Sequence, residues 1–231
     1  ARIDTLPIVS ISGDSEICNG ETTELQVMTD ASFVWSTTDT TQSIFVNPTS
    51  TTQYRVTATN SFGCQATDTI DVIVHENPNA IIIGNDQFCS NTMAELRVEG
   101  NDSYIWNTGA VTSAIVTNLP GTYTVTATNS FGCKTIASKT ITSLLAPTVT
   151  ISGDSLKCTG QSTTFIASGA NTYSWNTGVM DSQISVQYAG LYTVTGTSNN
   201  GCSATKSIQF VLSEPNIVIS GDTSICYGET A

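Results

Sequence analysis

Cysteines are the residues of this chain best suited to chemistry. There are seven among 231 residues, at positions 18, 64, 89, 133, 158, 202 and 226. A thiol can form a disulfide, bind a metal as a thiolate or act as a nucleophile. Because the sequence contains no Cys-x-x-Cys pair and no histidines close to these positions, it predicts disulfides, with no metal site and no cofactor.

Other groups that could support catalysis are sparse. His75 is the only histidine, and no nucleophile or orienting acid accompanies it. Asp14, Asp154 and Asp222 occupy the same turn in separate copies of a repeat, so they do not form a catalytic carboxylate pair. We interpret them as residues that turn the chain after a glycine, and Ca²⁺ ligation is the alternative. The sequence therefore predicts no enzymatic activity.

Aromatic residues could instead form a sugar-stacking platform on the surface. Six of them, however, lie at alternating positions of predicted strands, on the face expected to point inward. These predicted core residues are Trp35, Trp106, Trp175, Tyr54, Tyr123 and Tyr192. Phe62 and Phe131 lie in predicted loops, where we expect them to pack into an adjacent domain; contact with a ligand is the alternative.

The chemistry is repeated because the chain is repeated. The stretch "VTATNSFGC" occurs at Val56–Cys64 and again at Val125–Cys133, and "VTGTSNNGC" follows at Val194–Cys202. Each tryptophan follows the first cysteine of its copy by 17 residues. The period predicts domains at 1–75, 76–145 and 146–213, with the start of a fourth at 214–231. We therefore expect the sequence to be a piece of a longer chain.

Each copy alternates apolar and polar residues with period two, and Gly- and Asn-rich turns separate the runs. No segment has a sustained helical period. This pattern predicts an all-β fold of tandem immunoglobulin-like β-sandwiches. Short proline-containing linkers such as "VHENPNA" predict that the domains form an extended array.

Charge narrows the range of partners. The net charge is −12, which would repel phosphate backbones and anionic lipid headgroups, so we expect no nucleic-acid binding. No apolar run approaches the roughly 18–20 residues that a spanning helix requires, so we expect no membrane insertion. The first residues, "ARIDTLP", have none of the features of a signal peptide.

The motifs "YSWNTG" and "GLYTVTGTSNNGC" resemble the immunoglobulin-like and PKD-like repeats of large Bacteroidota cell-surface adhesins. The fuller pattern "ISGD…C.G….L……Y.W..G…..I.V…G.Y.VT.T…GC" is similar to repeats exported by the type IX secretion system. The first copy departs from it, with "FVWSTTDTT" and "TTQY". The resemblance implies an extracellular, cell-surface protein, in which disulfides persist.

Two disulfide pairings remain open. Spacing favours bonds within a repeat: Cys18–Cys64, Cys89–Cys133 and Cys158–Cys202. Strand direction favours bonds between repeats, because the two cysteines of one sandwich would lie at opposite poles, about 20 Å apart for a six-residue strand, whereas a disulfide needs Cα atoms within about 7 Å. The second pairing joins Cys18 to Cys133 and Cys89 to Cys202, and leaves Cys64, Cys158 and Cys226 for copies outside the chain. We favour this second pairing.

The resemblance also implies O-glycosylation. Bacteroidota proteins carry glycans at Asp-Ser/Thr followed by an aliphatic residue or threonine, and four sites match this pattern: Thr5, Thr40, Thr69 and Ser155. An intact mass equal to that of the bare sequence would exclude this modification.

Three functions are open to such a chain. The first is a structural stalk or filament segment of an adhesin, which holds a distal binding region away from the cell. Its partners would be neighbouring repeats, with self-association into fibres through edge strands. The alternative is a glycan- or protein-binding module with an unknown ligand. An enzyme is the third, and nothing in the sequence favours it.

Non-reducing peptide mapping distinguishes the two pairings. We expect a linked peptide that contains Cys18 and Cys133, since only this pairing joins poles that meet. Recovery of Cys18 linked to Cys64 would show that the bonds close each repeat on itself.

Overall fold

The computed structural model describes residues 5–100 and 103–214. Cys226, Asp222 and nearly all of the predicted fourth repeat lie outside the described residues. Within them every regular element is a β-strand, so the all-β prediction is confirmed. No helix in this part of the chain is long and apolar enough to cross a membrane.

Seven strands form in each repeat. Those of repeat 1 are β1 to β7, at Ser10–Gly13, Glu16–Cys18, Thr23–Met28, Ser32–Trp35, Ser43–Val46, Thr52–Thr59 and Gln65–His75. Those of repeat 2 are β8 to β14, at Ile82–Ile83, Gln87–Cys89, Ala94–Val98, Ser103–Trp106, Ala114–Thr117, Gly121–Thr128 and Lys134–Leu144. Those of repeat 3 are β15 to β21, at Thr150–Ser152, Leu156–Cys158, Thr163–Ser168, Thr172–Trp175, Gln183–Val186, Gly190–Thr197 and Ser203–Ser213.

The strand order is that of an immunoglobulin-like sandwich. In repeat 1 one sheet has the order β1-β3-β5 and the other β2-β7-β6-β4. Each connection from β1 to β6 therefore crosses between the sheets, as in a Greek key, whereas β6 and β7 are neighbours in one sheet. Strand β2 adds to the edge of β7 in parallel, whereas β4, β6 and β7 pair antiparallel. Repeat 3 has the same order, with β15-β17-β19 and β16-β21-β20-β18, and repeat 2 has β8-β10-β12 and β9-β14-β13-β11.

Two compact units divide the described chain. The first contains residues 5–85, 95–100, 103–116 and 121–140, and the second contains residues 86–94, 117–120 and 141–214. The first unit thus holds all strands of repeat 1 and most of repeat 2. The second unit holds all strands of repeat 3, together with β9 paired in parallel to the end of β14.

Alternation along the strands builds the cores. In β6, Tyr54, Val56 and Ala58 are buried, while Arg55 between them is exposed. The three indoles, Trp35, Trp106 and Trp175, are each 2% exposed. Each indole Nε1 donates to a backbone carbonyl six residues later, at 2.8–3.0 Å, which satisfies its single polar atom inside the core.

Tyrosines complete the cores to different depths. Tyr54 and Tyr123 are buried. Tyr192 is half-buried and packs against the core of repeat 3, because its hydroxyl reaches outward to donate to the Tyr188 carbonyl at 2.8 Å. The aromatic positions therefore contribute to packing in all three repeats.

A close approach between strands accounts for the glycine of "ISGD". An ideal Cβ at Gly153 would lie 2.5 Å from the Thr164 carbonyl oxygen, and one at Gly13 would lie 2.4 Å from that of Glu24. Real Cβ atoms do not approach this closely, so glycine lets the first strand of the sandwich meet the third.

One turn in repeat 1 is strained. Three residues after each tryptophan, the chain adopts positive φ: Gly109 at 84° and Gly178 at 88°, but Thr38 at 76°. A β-branched residue in this left-handed region costs about 1–2 kcal/mol. The departure of "FVWSTTDTT" from the repeat pattern therefore has an energetic cost.

We expect Thr38→Gly to stabilise repeat 1 by about 1 kcal/mol, because relief of strain exceeds the added chain entropy of glycine. Hydrogen exchange of the β4 amides should slow about fivefold. The matched reverse change, Gly109→Thr, should accelerate exchange in β11. Equal protection in wild type and Thr38→Gly would show that the turn is unstrained.

Candidate functional site

Two disulfides link successive repeats. Cys18 of repeat 1 is bonded to Cys133 of repeat 2, with Cα atoms 5.5 Å apart, within the first unit. Cys89 of repeat 2 is bonded to Cys202 of repeat 3, with Cα atoms 5.6 Å apart, within the second unit. Both separations lie in the usual range for disulfides. We call the surroundings of these bonds the first and second joints.

Strand direction explains why each bond crosses to a neighbour. Cys18 ends β2, where parallel pairing sets it beside His75, the last residue of β7. Cys64 immediately precedes the first residue of β7, which has 11 residues. A strand of this length spans about 33 Å, so the two cysteines of repeat 1 lie at opposite ends of it. A bond within the repeat would need that distance to close to about 6 Å.

An asparagine organises the first joint. Asn129 Oδ1 accepts hydrogen bonds from the backbone N–H groups of Phe131 and Cys133, both at 3.0 Å. Its Nδ2 donates to the carbonyl of Glu76 in the preceding linker at 2.8 Å. One side chain thus fixes the loop that carries the cysteine and ties that loop to the linker between repeats 1 and 2.

In the second joint the corresponding asparagine is Asn200, which lies closer to its cysteine in sequence. Asn200 lies two residues before Cys202, whereas Asn129 lies four before Cys133. Asn200 Oδ1 accepts from the Cys202 N–H at 3.0 Å, and its Nδ2 donates to the Leu145 carbonyl at 2.9 Å. A second amide adds to the joint, since Asn91 Nδ2 donates to the Ser203 carbonyl at 2.9 Å.

The first joint also contains a ring stack. His75 and Phe131 lie face to face, with centroids 3.9 Å apart and an interplanar angle of 13°. His75 Nε2 is 3.0 Å from Glu16 Oε2. The structure therefore places the single histidine in packing between repeats 1 and 2. Phe131 packs across this joint, as the loop pattern predicts.

Cys64 and Cys158 have free thiols; Cys158 is exposed and Cys64 is half-buried. The loop of Cys64 is nonetheless built like that of Cys133. Asn60 Oδ1 accepts from the N–H groups of Phe62 and Cys64 at 3.0 and 2.9 Å, and its Nδ2 donates to the Thr5 carbonyl at 2.9 Å. The loops of Cys64 and Cys133 therefore share one hydrogen-bond arrangement.

The sequence pattern predicts only turns for the asparagines of these loops. Their second role, donation to the preceding linker, depends on a contact 53 to 55 residues away in sequence. The identical "NSFGC" in repeats 1 and 2 is the sequence signal for this second role.

The other candidate residues are dispersed. Thr5, Thr40, Thr69 and Ser155 are exposed. Asp68, which precedes Thr69, is half-buried, and its Oδ2 accepts from the Ile11 N–H at 2.8 Å. Asp154, which precedes Ser155, pairs with Lys157 at 2.7 Å, and this hydrogen bond lowers the pKa of its carboxyl group. In the described part of the chain, no cluster of three His, Cys, Asp or Glu side chains could hold a metal ion.

No family model and no curated protein matches the chain. Solved structures similar to it include murine CEACAM1b, with 14% identity, a TM-score of 0.32, and coverage of 59% of this chain and 100% of that one. A second is an adhesin of an Antarctic bacterium that binds ice, with 10% identity, a TM-score of 0.32, and coverage of 89% and 74%.

A third is a Bacteroides ovatus protein of a mixed-linkage glucan utilization locus, in complex with a heptasaccharide. Its identity is 14% and its TM-score 0.25, with coverage of 100% of this chain and 76% of that one. Likenesses of this size do not identify a ligand. The immunoglobulin-like assignment rests on the strand order above.

We expect Asn129→Ala to weaken the Cys18–Cys133 bond. The loop N–H groups and the Glu76 carbonyl would lose their partner, a cost of about 1–2 kcal/mol. In a glutathione redox buffer, the equilibrium constant for closing this bond should fall roughly 5–30-fold. Asn129→Asp keeps the acceptor and loses only the donor, so it should show part of the effect.

Asn200→Ala is the matched control, because it should weaken Cys89–Cys202 and leave Cys18–Cys133 unchanged. If both bonds respond equally to either variant, the asparagines do not position individual cysteines.

Proposed function

We propose that this chain is a structural stalk segment of a large extracellular adhesin, and that its repeats hold a distal binding region away from the cell surface. The observation that carries the proposal is the pair of disulfides between successive repeats. Each repeat is proposed to be one domain, with bounds at 1–75, 76–145 and 146–213. The finer assignment to a Bacteroidota adhesin exported by type IX secretion rests on the sequence resemblance.

The two disulfides support a load-bearing role because the stretches of chain that they enclose overlap. Cys18–Cys133 and Cys89–Cys202 span overlapping stretches of chain, with 89–133 common to both. Tension applied across the chain would therefore pass through Cys18–Cys133, back along 44 residues from 133 to 89, and on through Cys89–Cys202. Unfolding of all the sandwiches would lengthen the segment from 18 to 202 to only about 150 Å.

Cys64 and Cys158 extend the same scheme. We propose that Cys64 bonds to a preceding repeat, and that Cys158 and Cys226 bond to following ones. The hydrogen bonds around Asn60 support this, because they match those around Asn129 at the first joint. Glycans at Thr5, Thr40, Thr69 and Ser155, together with self-association into fibres, belong to the same proposal.

A glycan- or protein-binding module is the second candidate function. It is favoured by exposed side chains that differ between repeats, which a purely structural spacer does not require. Neither candidate involves an enzyme.

Force spectroscopy on the oxidised chain tests the stalk proposal. With both bonds intact, positions 18 and 202 should separate by at most about 150 Å; after reduction, the 184 Cα–Cα steps between these positions should extend to about 630 Å. Cys18→Ser/Cys133→Ser leaves a path of 71 residues, and Cys89→Ser/Cys202→Ser leaves one of 69, so each should give about 240 Å. Equal extension of oxidised and reduced chains would overturn the load-bearing role.

A further inference from the structure

Repeat 3 has a groove on the outer face of its larger sheet. Its volume is about 670 Å³, within the range of ligand sites. The residues on which the argument rests are Thr172 and Ser174 of β18, Thr195 and Thr197 of β20, and Met180 and Asp181 of the loop after β18. All belong to the second unit.

The floor of this groove is a grid of hydroxyl groups. Thr172 lies opposite Thr197 and Ser174 opposite Thr195 in the antiparallel register. Opposite residues are about 5 Å apart, and alternate residues on one strand about 6.7 Å. Thr197 Oγ1 shares a hydrogen bond with Ser203 Oγ at 2.8 Å. The hydroxyls of Thr172, Ser174 and Thr195 have no hydrogen-bond partner within the described residues, so they can bond to a ligand.

The charge of the groove lining favours a neutral ligand over an anionic one. Asp181 is the only charged side chain of the groove lining, all of which the structure describes. Its Oδ1 accepts from the Gln183 N–H at 3.3 Å and from the Ser182 hydroxyl at 3.1 Å, which holds the carboxylate in place. On a chain of net charge −12, with no cation in the groove, an anionic polymer would be repelled. A neutral polyol is accepted, because hydroxyls both donate and accept hydrogen bonds.

An apolar side chain also lines the groove. Met180 is 84% exposed. The thioether side chain is flexible and can pack against the C–H face of a sugar ring. Hydroxyl groups on the floor and the exposed Met180 side chain match the two kinds of surface that a saccharide presents.

The polar floor is specific to repeat 3. The position of Ser174, one residue before the tryptophan, is Val34 in repeat 1 and Ile105 in repeat 2, which are 43% and 60% exposed. These aliphatic side chains would cover the centre of the grid. A spacer role alone does not require this difference between copies.

We propose that the groove of repeat 3 binds a neutral polysaccharide. Ser174 and Thr195 would form hydrogen bonds with sugar hydroxyls, while Met180 packs against a ring. This site goes beyond the stalk role and does not depend on it, since the groove contains neither of the joint disulfides.

Affinity electrophoresis of the full chain tests this proposal. The gels would contain mixed-linkage β-glucan, xyloglucan or galactomannan as neutral probes and polygalacturonate as the anionic probe. We expect at least one neutral polysaccharide to retard the chain and polygalacturonate not to. Ser174→Ile, which installs the residue of repeat 2, and Thr195→Val should each weaken retardation about tenfold.

Thr126→Val is the matched control, because Thr126 occupies the position of Thr195 in repeat 2. It should leave retardation unchanged, and circular dichroism would check that all variants fold. The proposal is overturned if no neutral polysaccharide retards the chain, if Thr126→Val acts like Thr195→Val, or if polygalacturonate binds as well. The stalk proposal is tested separately, by the extension of the oxidised chain in force spectroscopy.

Discussion

The direction of the long last strand in each repeat governs the rest of the structure. In repeat 1, β2 runs parallel to β7, so Cys18 lies at the C-terminal end of β7, while Cys64 lies at its N-terminal end. Repeats 2 and 3 use the same parallel pairing. A sandwich built this way cannot join its own two cysteines without being dismantled. In repeat 2 both cysteines are therefore bonded to other repeats, Cys133 to repeat 1 and Cys89 to repeat 3.

The disulfides between repeats do not require one fixed loop sequence. Asn129 and Asn200 lie at different distances from their cysteines, yet each binds the backbone of its own loop and donates to the preceding linker. The common requirement is an amide, because its two atoms satisfy an acceptor role and a donor role at once. His75 and Phe131 add a stacked pair to the first joint. The same bond is thus supported by different neighbouring contacts.

The fold can be predicted from the sequence because short stretches of alternating apolar and polar residues determine each strand and its buried face. The alternation of Tyr54, Val56 and Ala58 against polar neighbours suffices to predict a strand and its buried face. The position of Cys18 relative to Cys64 also follows from strand direction, whereas spacing alone favours a bond between these two cysteines of one repeat. The contacts of Asn129 and the groove above Ser174 could not be predicted. They depend on which loop meets which linker and on side chains that meet across strands, and neither is encoded within a short window.

The overlap of the two disulfide spans also determines what happens when a protease cuts the chain. The spans 18–133 and 89–202 overlap, so every peptide bond between positions 18 and 202 is bridged by at least one disulfide. A protease that cuts one loop in this stretch would leave two polypeptides that remain joined by a disulfide. Between 89 and 133, where both bonds span the cut, two covalent links would remain. A surface protein exposed to hydrolases could thus be nicked without shedding what lies beyond the nick.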